Sequence, residues 1–201
     1  MNREQAIDKL FSKAQRYCRG IEYDAKWVYQ VSPDTITPQE FFEEYIWVVY
    51  ACNFKVTHLG GLWKPLCEAY GNYEALDGSR RQAVLNVIDN ERKWSAVHRT
   101  ALMMQGFGWD EFRKLCLDEI DSITLLGFIG PVTKFHLARN LGFDVAKPDR
   151  WMCRIANKTG WESVSSMCEY LSEKHGLSVK EVDIILWEYA SDLGLDEREC
   201  T

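Results

Sequence analysis

Apolar residues recur along this chain at helical spacing and almost nowhere at the alternating spacing of a strand. Thr37-Pro38-Gln39-Glu40 is a capping box with proline in the first helical position. The run that follows, Phe41 to Asn53, is apolar on nearly every side (Phe41, Phe42, Tyr45, Ile46, Val48, Val49, Ala51, Cys52), which predicts a helix at the centre of a bundle. Further helices are expected over about 61–70, 79–90, 92–105, 109–118, 120–126, 131–140, 149–159 and 163–175. Ser178-Val179-Lys180-Glu181 is a second capping box, opening a helix whose Val182, Ile185, Leu186, Tyr189 and Leu193 fall on one stripe. The strand signal is limited to Val28-Tyr29-Gln30-Val31, a short extended piece without an evident partner, inside the longest expected loop, about 20–37. No internal repeat or low-complexity segment interrupts the pattern. The expected class is all-α.

Composition sharpens this picture. With 201 residues and 46% hydrophobic content the chain can bury a real core, as one domain or as two small lobes. Eight Trp, nine Tyr and nine Phe serve packing first, and can also wall a pocket for a planar ligand. A net charge of −6 argues against a generic nucleic-acid coat protein, but not against a local basic face, since a few phosphate contacts carry most of the electrostatic affinity. Acidic residues gather early (Glu40, Glu43, Glu44) and late (Glu181, Asp183, Glu188, Asp192, Asp196, Glu197, Glu199). Basic ones gather as Lys134, His136, Arg139, Lys147, Arg150, Arg154 and Lys158, an asymmetry that fits one side facing a polyanion. The seven cysteines form no CxxC pair and have mostly apolar neighbours, which reads as reduced, buried thiols and a cytoplasmic location. No signal peptide, membrane span or metal-ligand spacing is evident; His58, His98, His136 and His175 are scattered.

The chemistry concentrates in Leu125-Leu126-Gly127-Phe128-Ile129-Gly130-Pro131-Val132-Thr133-Lys134 and in Lys147-Pro148-Asp149-Arg150. A short helix ends in glycine, a Gly-Pro step opens the next, and one carboxylate follows nineteen residues after Gly130, just behind a proline. Gly127 and Gly130 are expected to let the backbone turn and approach a ligand without a Cβ in the way. The unpaired N–H groups of the next helix would face a phosphate, a contact that reads no sequence.

Together these segments, with Phe135 to Ala146 between them and Arg154 five residues after the acid, resemble the helix-hairpin-helix and Gly/Pro-Asp element of the endonuclease III-like DNA glycosylases. The resemblance is specific over about 121–160 and is one of helix order alone over 38–120. It implies a two-lobed all-α fold with a cleft between lobes. A central lobe would span 38–140, with the hairpin at 120–140, and the second lobe would form from 1–37 plus 141–201. It implies Asp149 as the catalytic carboxylate and Gly127, Ile129, Gly130, Val132, Lys134, Lys147, Arg150 and Arg154 as the DNA-binding set. The partner would be double-stranded DNA with one base flipped out of the stack, bound by a monomer without cofactor or metal. By position, Asn53 resembles the residue that relatives insert into the gap, and Trp47, Tyr50 and Trp151 are candidate pocket walls.

Three departures from the family pattern matter. Phe128 stands where the hairpin's first glycine is usual. Val132 stands where members that also cut the backbone carry a nucleophilic lysine; Lys134 lies about 200° further round the helix. The closely spaced cysteines of an iron–sulfur loop are missing. The reading is a monofunctional glycosylase that removes a damaged or modified base, alkylated bases included. Its rivals are a non-catalytic helix-hairpin-helix DNA binder and an all-α protein–protein adaptor.

Overall fold

The structure, a computed structural model, describes residues 2–25, 29–52, 54 and 56–194. Among them are ten α-helices and no strand. The chain divides into two compact units, one formed by Met1–Ser32 with Gly142–Thr201, the other by Pro33–Leu141.

The central unit is built on α2 (Pro38–Ala51), capped by Thr37 and Glu40 as the capping box requires. Its Phe41, Phe42, Tyr45, Ile46, Val48, Val49 and Tyr50 are all buried. Around it lie α3 (Val56–Tyr70), α4 (Arg81–Val87), α5 (Glu91–Phe107), α6 (Trp109–Leu117) and α7 (Thr133–Asn140). Three expectations need correction. α3 begins before the Gly60-Gly61 pair and carries both glycines and Pro65 inside the helix. The segment expected as a helix over about 79–90 is a 3-10 turn at Gly78–Arg80 followed by the short α4, and the helix expected over about 120–126 is a 3-10 helix, Ile120–Leu125. The C-terminal carbonyls of α2 are closed by a side chain: buried Lys93 on α5 donates to Tyr50 O at 3.0 Å and Cys52 O at 2.8 Å. Desolvation pulls its ammonium below the usual lysine pKa.

The terminal unit packs α1 (Arg3–Gly20), α8 (Arg150–Thr159), α9 (Val164–His175) and α10 (Val179–Leu193) around a core that includes Leu10, Phe11, Met152, Ile155, Met167, Leu171, Val182 and Leu186. α1 was not among the helices expected, although its signals are local. Asn2 and Gln5 form a capping box, and Ala6, Ile7, Leu10, Phe11, Ala14 and Cys18 make a buried stripe. α10 is not the one-stripe helix expected. Lys180, Glu181 and Asp183 are buried along with the apolar residues, on a helix against which α1, α8 and α9 all pack, while Leu193 at its end is exposed.

Of the described cysteines, Cys18, Cys116 and Cys168 are buried, but Cys153 is exposed on α8, against the expectation of uniformly buried thiols. No helix among the described residues is long and apolar enough to cross a membrane.

Candidate active site and nucleic-acid interface

Asp149 is the N-cap of α8. Its Oδ1 accepts the amides of Trp151 at 2.9 Å and Met152 at 3.2 Å, which fixes the carboxylate on the helix start and lets the dipole stabilise its charge. That leaves Oδ2, and Lys147 Nζ stands 3.6 Å from it. The two side chains are only 15% and 17% exposed, so acid and amine form a partly desolvated pair. Lys147, expected at a phosphate, is thus first of all a neighbour of the acid.

The backbone around them is held from both ends. Asp149 N–H donates to Lys147 O at 2.8 Å across Pro148, and Cys153 N–H begins the helix by donating to Asp149 O at 2.9 Å. Upstream, Lys180 Nζ donates to Gly142 O at 2.8 Å and Lys180 N–H to Asp144 Oδ1 at 2.9 Å. Gly142 itself adopts φ +96, and a Cβ there would lie 2.3 Å from Val31 O.

α8 presents Arg150, Cys153, Arg154, Asn157 and Lys158 to solvent. This is the exposed part of the basic cluster. The rest does not form one open face, because Arg139 is buried and Lys134 pairs with Asp121 while mostly covered. Trp151 is half-buried against the core of its unit, and the guanidinium carbons of Arg150 and Arg154 lie over its ring at 5.0 and 5.2 Å from the centroid.

In the central unit the hairpin runs from the 3-10 helix Ile120–Leu125 through a turn into α7. The turn's left-handed residue is Phe128, at φ +64, and not a glycine. Neither Gly127 nor Gly130 has positive φ. Gly127 is glycine for a packing reason: a Cβ there would meet Ala96 Cβ at 2.9 Å, and its carbonyl accepts Tyr45 OH at 2.8 Å. Ile129 is buried. Two of the expected DNA contacts, Gly127 and Ile129, therefore seat the hairpin on α5 and α2, and the side chains that project are Leu125, Phe128 and Val132.

Gly130 stands in open space, with Thr133 Oγ1 at 3.9 Å as its nearest neighbour to a Cβ. Its N–H, the amide expected to meet a phosphate, donates to Thr133 Oγ1 at 2.7 Å. α7 starts at Thr133, two residues after Pro131, although Lys134 N–H already donates to Gly130 O at 3.0 Å. Thr133 was passed over in the sequence; a hydroxyl three residues after a turn glycine is its signal.

The contrast between the glycines is testable. Gly127→Ala is expected to destabilise the protein by about 1–3 kcal/mol through overpacking on Ala96, whereas Gly130→Ala is expected to change stability by less than about 0.5 kcal/mol. Urea unfolding of the two variants compares them directly; equal losses would contradict the placement of the turn.

Of the proposed pocket residues, Tyr50 is 1% exposed and bonds Tyr70 OH at 2.9 Å, so it belongs to the core of the central unit. Trp47 is half-buried, edge-on to Trp63 with centroids 5.2 Å apart. Asn53, the gap-filling candidate, lies outside the described residues.

An all-helical chain with a hairpin of this form and an aspartate capping the helix that follows has the architecture of the helical DNA glycosylases. The comparison with solved structures agrees. The chain superposes on the 8-oxoguanine glycosylase/lyase of Methanocaldococcus jannaschii, solved in complex with a 15mer DNA containing 8-oxoguanine, with a TM-score of 0.63. The match covers 94% of this chain and 99% of that one, at 15% identity, and it is the fold that the two share. No protein-family model and no curated protein sequence matches the chain.

Proposed function

We propose that this protein is a DNA glycosylase that hydrolyses the bond between deoxyribose and a damaged or modified base, with Asp149 as its catalytic carboxylate. The observation that carries the reading is the split use of that carboxylate. Oδ1 is committed to two helix amides, while Oδ2 receives no backbone amide among the described residues and stands beside Lys147. A carboxylate oriented in this way can stabilise the positive charge that grows on the sugar as the base leaves, and can orient the attacking water. The glycosylase/lyase that shares the fold, and was solved with lesion-bearing DNA, supports the same class of activity.

The target base has to leave the duplex to be reached, so the partner is double-stranded DNA with one flipped nucleotide, bound by a monomer. Arg150 and Arg154, with Lys147 beside the acid, supply the cationic contacts of the terminal unit, and the projecting turn around Gly130 and Val132 is the contact of the central one, with Lys134 available only if its pair with Asp121 opens. Alkylated bases are the first substrates to test, because a Trp-rich chain offers stacking surface to an electron-poor base. Incubation with duplexes that each carry one modified base, followed by alkali, reads out the activity: strand breaks at the lesion alone are expected. Unbroken strands across the panel, with duplex binding intact, would favour a non-catalytic binder.

Release is proposed to be hydrolytic because Val132 occupies the place of the usual nucleophilic lysine. One observation favours a second reading, a lyase step: the Lys147 amine lies 3.6 Å from Asp149 and is shielded from solvent, as a nucleophilic amine requires. Borohydride trapping separates the two. No covalent adduct is expected. An adduct that survives Lys134→Ala and is lost in Lys147→Ala would establish the lyase and name its nucleophile.

A further inference from the structure

We infer that Trp151 is a positioning residue whose ring gathers Arg150 and Arg154 into one fork for adjacent phosphates of a DNA strand, and that it is not a wall of the base pocket. The inference rests on the DNA reading above and goes beyond it by assigning the ring its task.

Arg150 and Arg154 are four residues apart on α8, where like charges share a helix face and repel. Nothing among the described residues neutralises them: no carboxylate forms an ion pair with either guanidinium. Yet both are gathered over one indole, at 5.0 and 5.2 Å from its centroid. The negative face of the ring offsets part of the repulsion. It also removes rotamer freedom from two long side chains, so less entropy is lost when an anion arrives. Two exposed guanidiniums held against one ring, with no carboxylate of the described residues paired to either, form a site for a multidentate oxyanion, and the phosphodiester is the one that recurs along a strand.

The position of the fork adds to this. Trp151 N–H donates to Asp149 Oδ1 at 2.9 Å, so the ring that orders the arginines and the proposed catalytic carboxylate are fixed to the same helical turn. A phosphate held by the fork therefore sets the register of its sugar against Asp149. The ring also packs on the core of its unit on another side, which anchors the fork to rigid structure. With two guanidiniums already over it, little of its face is left for a flipped base.

The test is the salt dependence of binding to an undamaged duplex, with wild type, Arg150→Gln/Arg154→Gln, Trp151→Met and Trp151→Phe. Each lost phosphate contact flattens the slope of log K against log salt by about 0.9. The double variant is expected to lose about two units of slope and on the order of a hundredfold in affinity at low salt. Trp151→Met keeps apolar bulk against the core but has no π face; it is expected to lose about one unit of slope and roughly tenfold in affinity. Trp151→Phe, which keeps both, is expected to stay close to wild type. A wild-type slope in Trp151→Met overturns the inference, and so does a wild-type slope in the double variant, whose exposed substitutions leave folding intact if the tryptophan variant melts early. A wild type that binds no duplex at all would instead contradict the glycosylase reading itself.

Discussion

Asp149→Asn is expected to lower the rate of base release by about a hundred- to a thousandfold, the loss typical of removing one preorganised charge-stabilising group. Duplex affinity should be unchanged or tighter. The asparagine oxygen can still accept the Trp151 and Met152 amides, so α8 keeps its start. What disappears is the negative charge at Oδ2, and with it the ion-pair partner of Lys147. The net charge beside α8 becomes more positive by one, which adds to the attraction for phosphate. Single-turnover release and a binding isotherm, measured on the same lesion-bearing duplex, separate the two effects. Parallel losses of rate and binding would mean that Asp149 holds the local structure and does no chemistry.

The second large effect concerns architecture. Gly142→Val is expected to cost more than about 4 kcal/mol and to leave little folded protein. Two independent causes add. The residue sits at φ +96, a conformation that a β-branched side chain avoids. A Cβ would also lie 2.3 Å from Val31 O and 2.9 Å from Ser32 Cα, a collision with backbone that no rotamer relieves. Gly142 is the first residue after Leu141, where the chain passes into the segment that leads to Asp149, and its carbonyl is bound by Lys180. Circular dichroism and the soluble yield of the variant check this. A folded, cooperatively melting Gly142→Val would show that the 29–32 segment yields more readily than its geometry allows.

Much of the fold was legible in the sequence because its signals were local. The capping box at Thr37 and the N-cap Ser178 start α2 and α10 where the pattern placed them, although the second box does not close: Ser178 N–H donates to Tyr29 OH, which itself donates to Glu181. The all-round apolar run of α2 is indeed buried. The Pro148-Asp149 step is a local signal too, and it is where α8 begins, with Asp149 as its cap. The errors are tertiary. Lys180, Glu181 and Asp183 look like a solvated face, yet all three are buried, Lys180 bonded to Gly142 O and to Asp144, and Glu181 to Tyr29 OH. Gly127 and Gly130 look like turn glycines, yet Phe128 takes the left-handed turn and Gly127 is glycine because Ala96 sits 2.9 Å from where its Cβ would be. A contact to a residue thirty-one positions earlier leaves no trace in the hairpin's own sequence. The basic cluster failed similarly: charge counts add Lys134 and Arg139 to the exposed arginines of α8, whereas folding pairs one with Asp121 and buries the other.

We propose that this chain cuts base from sugar by hydrolysis, with the Asp149 carboxylate and water. The most direct test is to incubate the purified protein with lesion-bearing duplexes and look by mass spectrometry for the free base and for the sugar product left in the strand. The account requires the intact modified base in solution, an unbroken strand with an abasic site carrying one oxygen from solvent water, and neither product from Asp149→Asn. Release that persists undiminished in that variant, or no free base from any modified duplex that the wild type demonstrably binds, would contradict it.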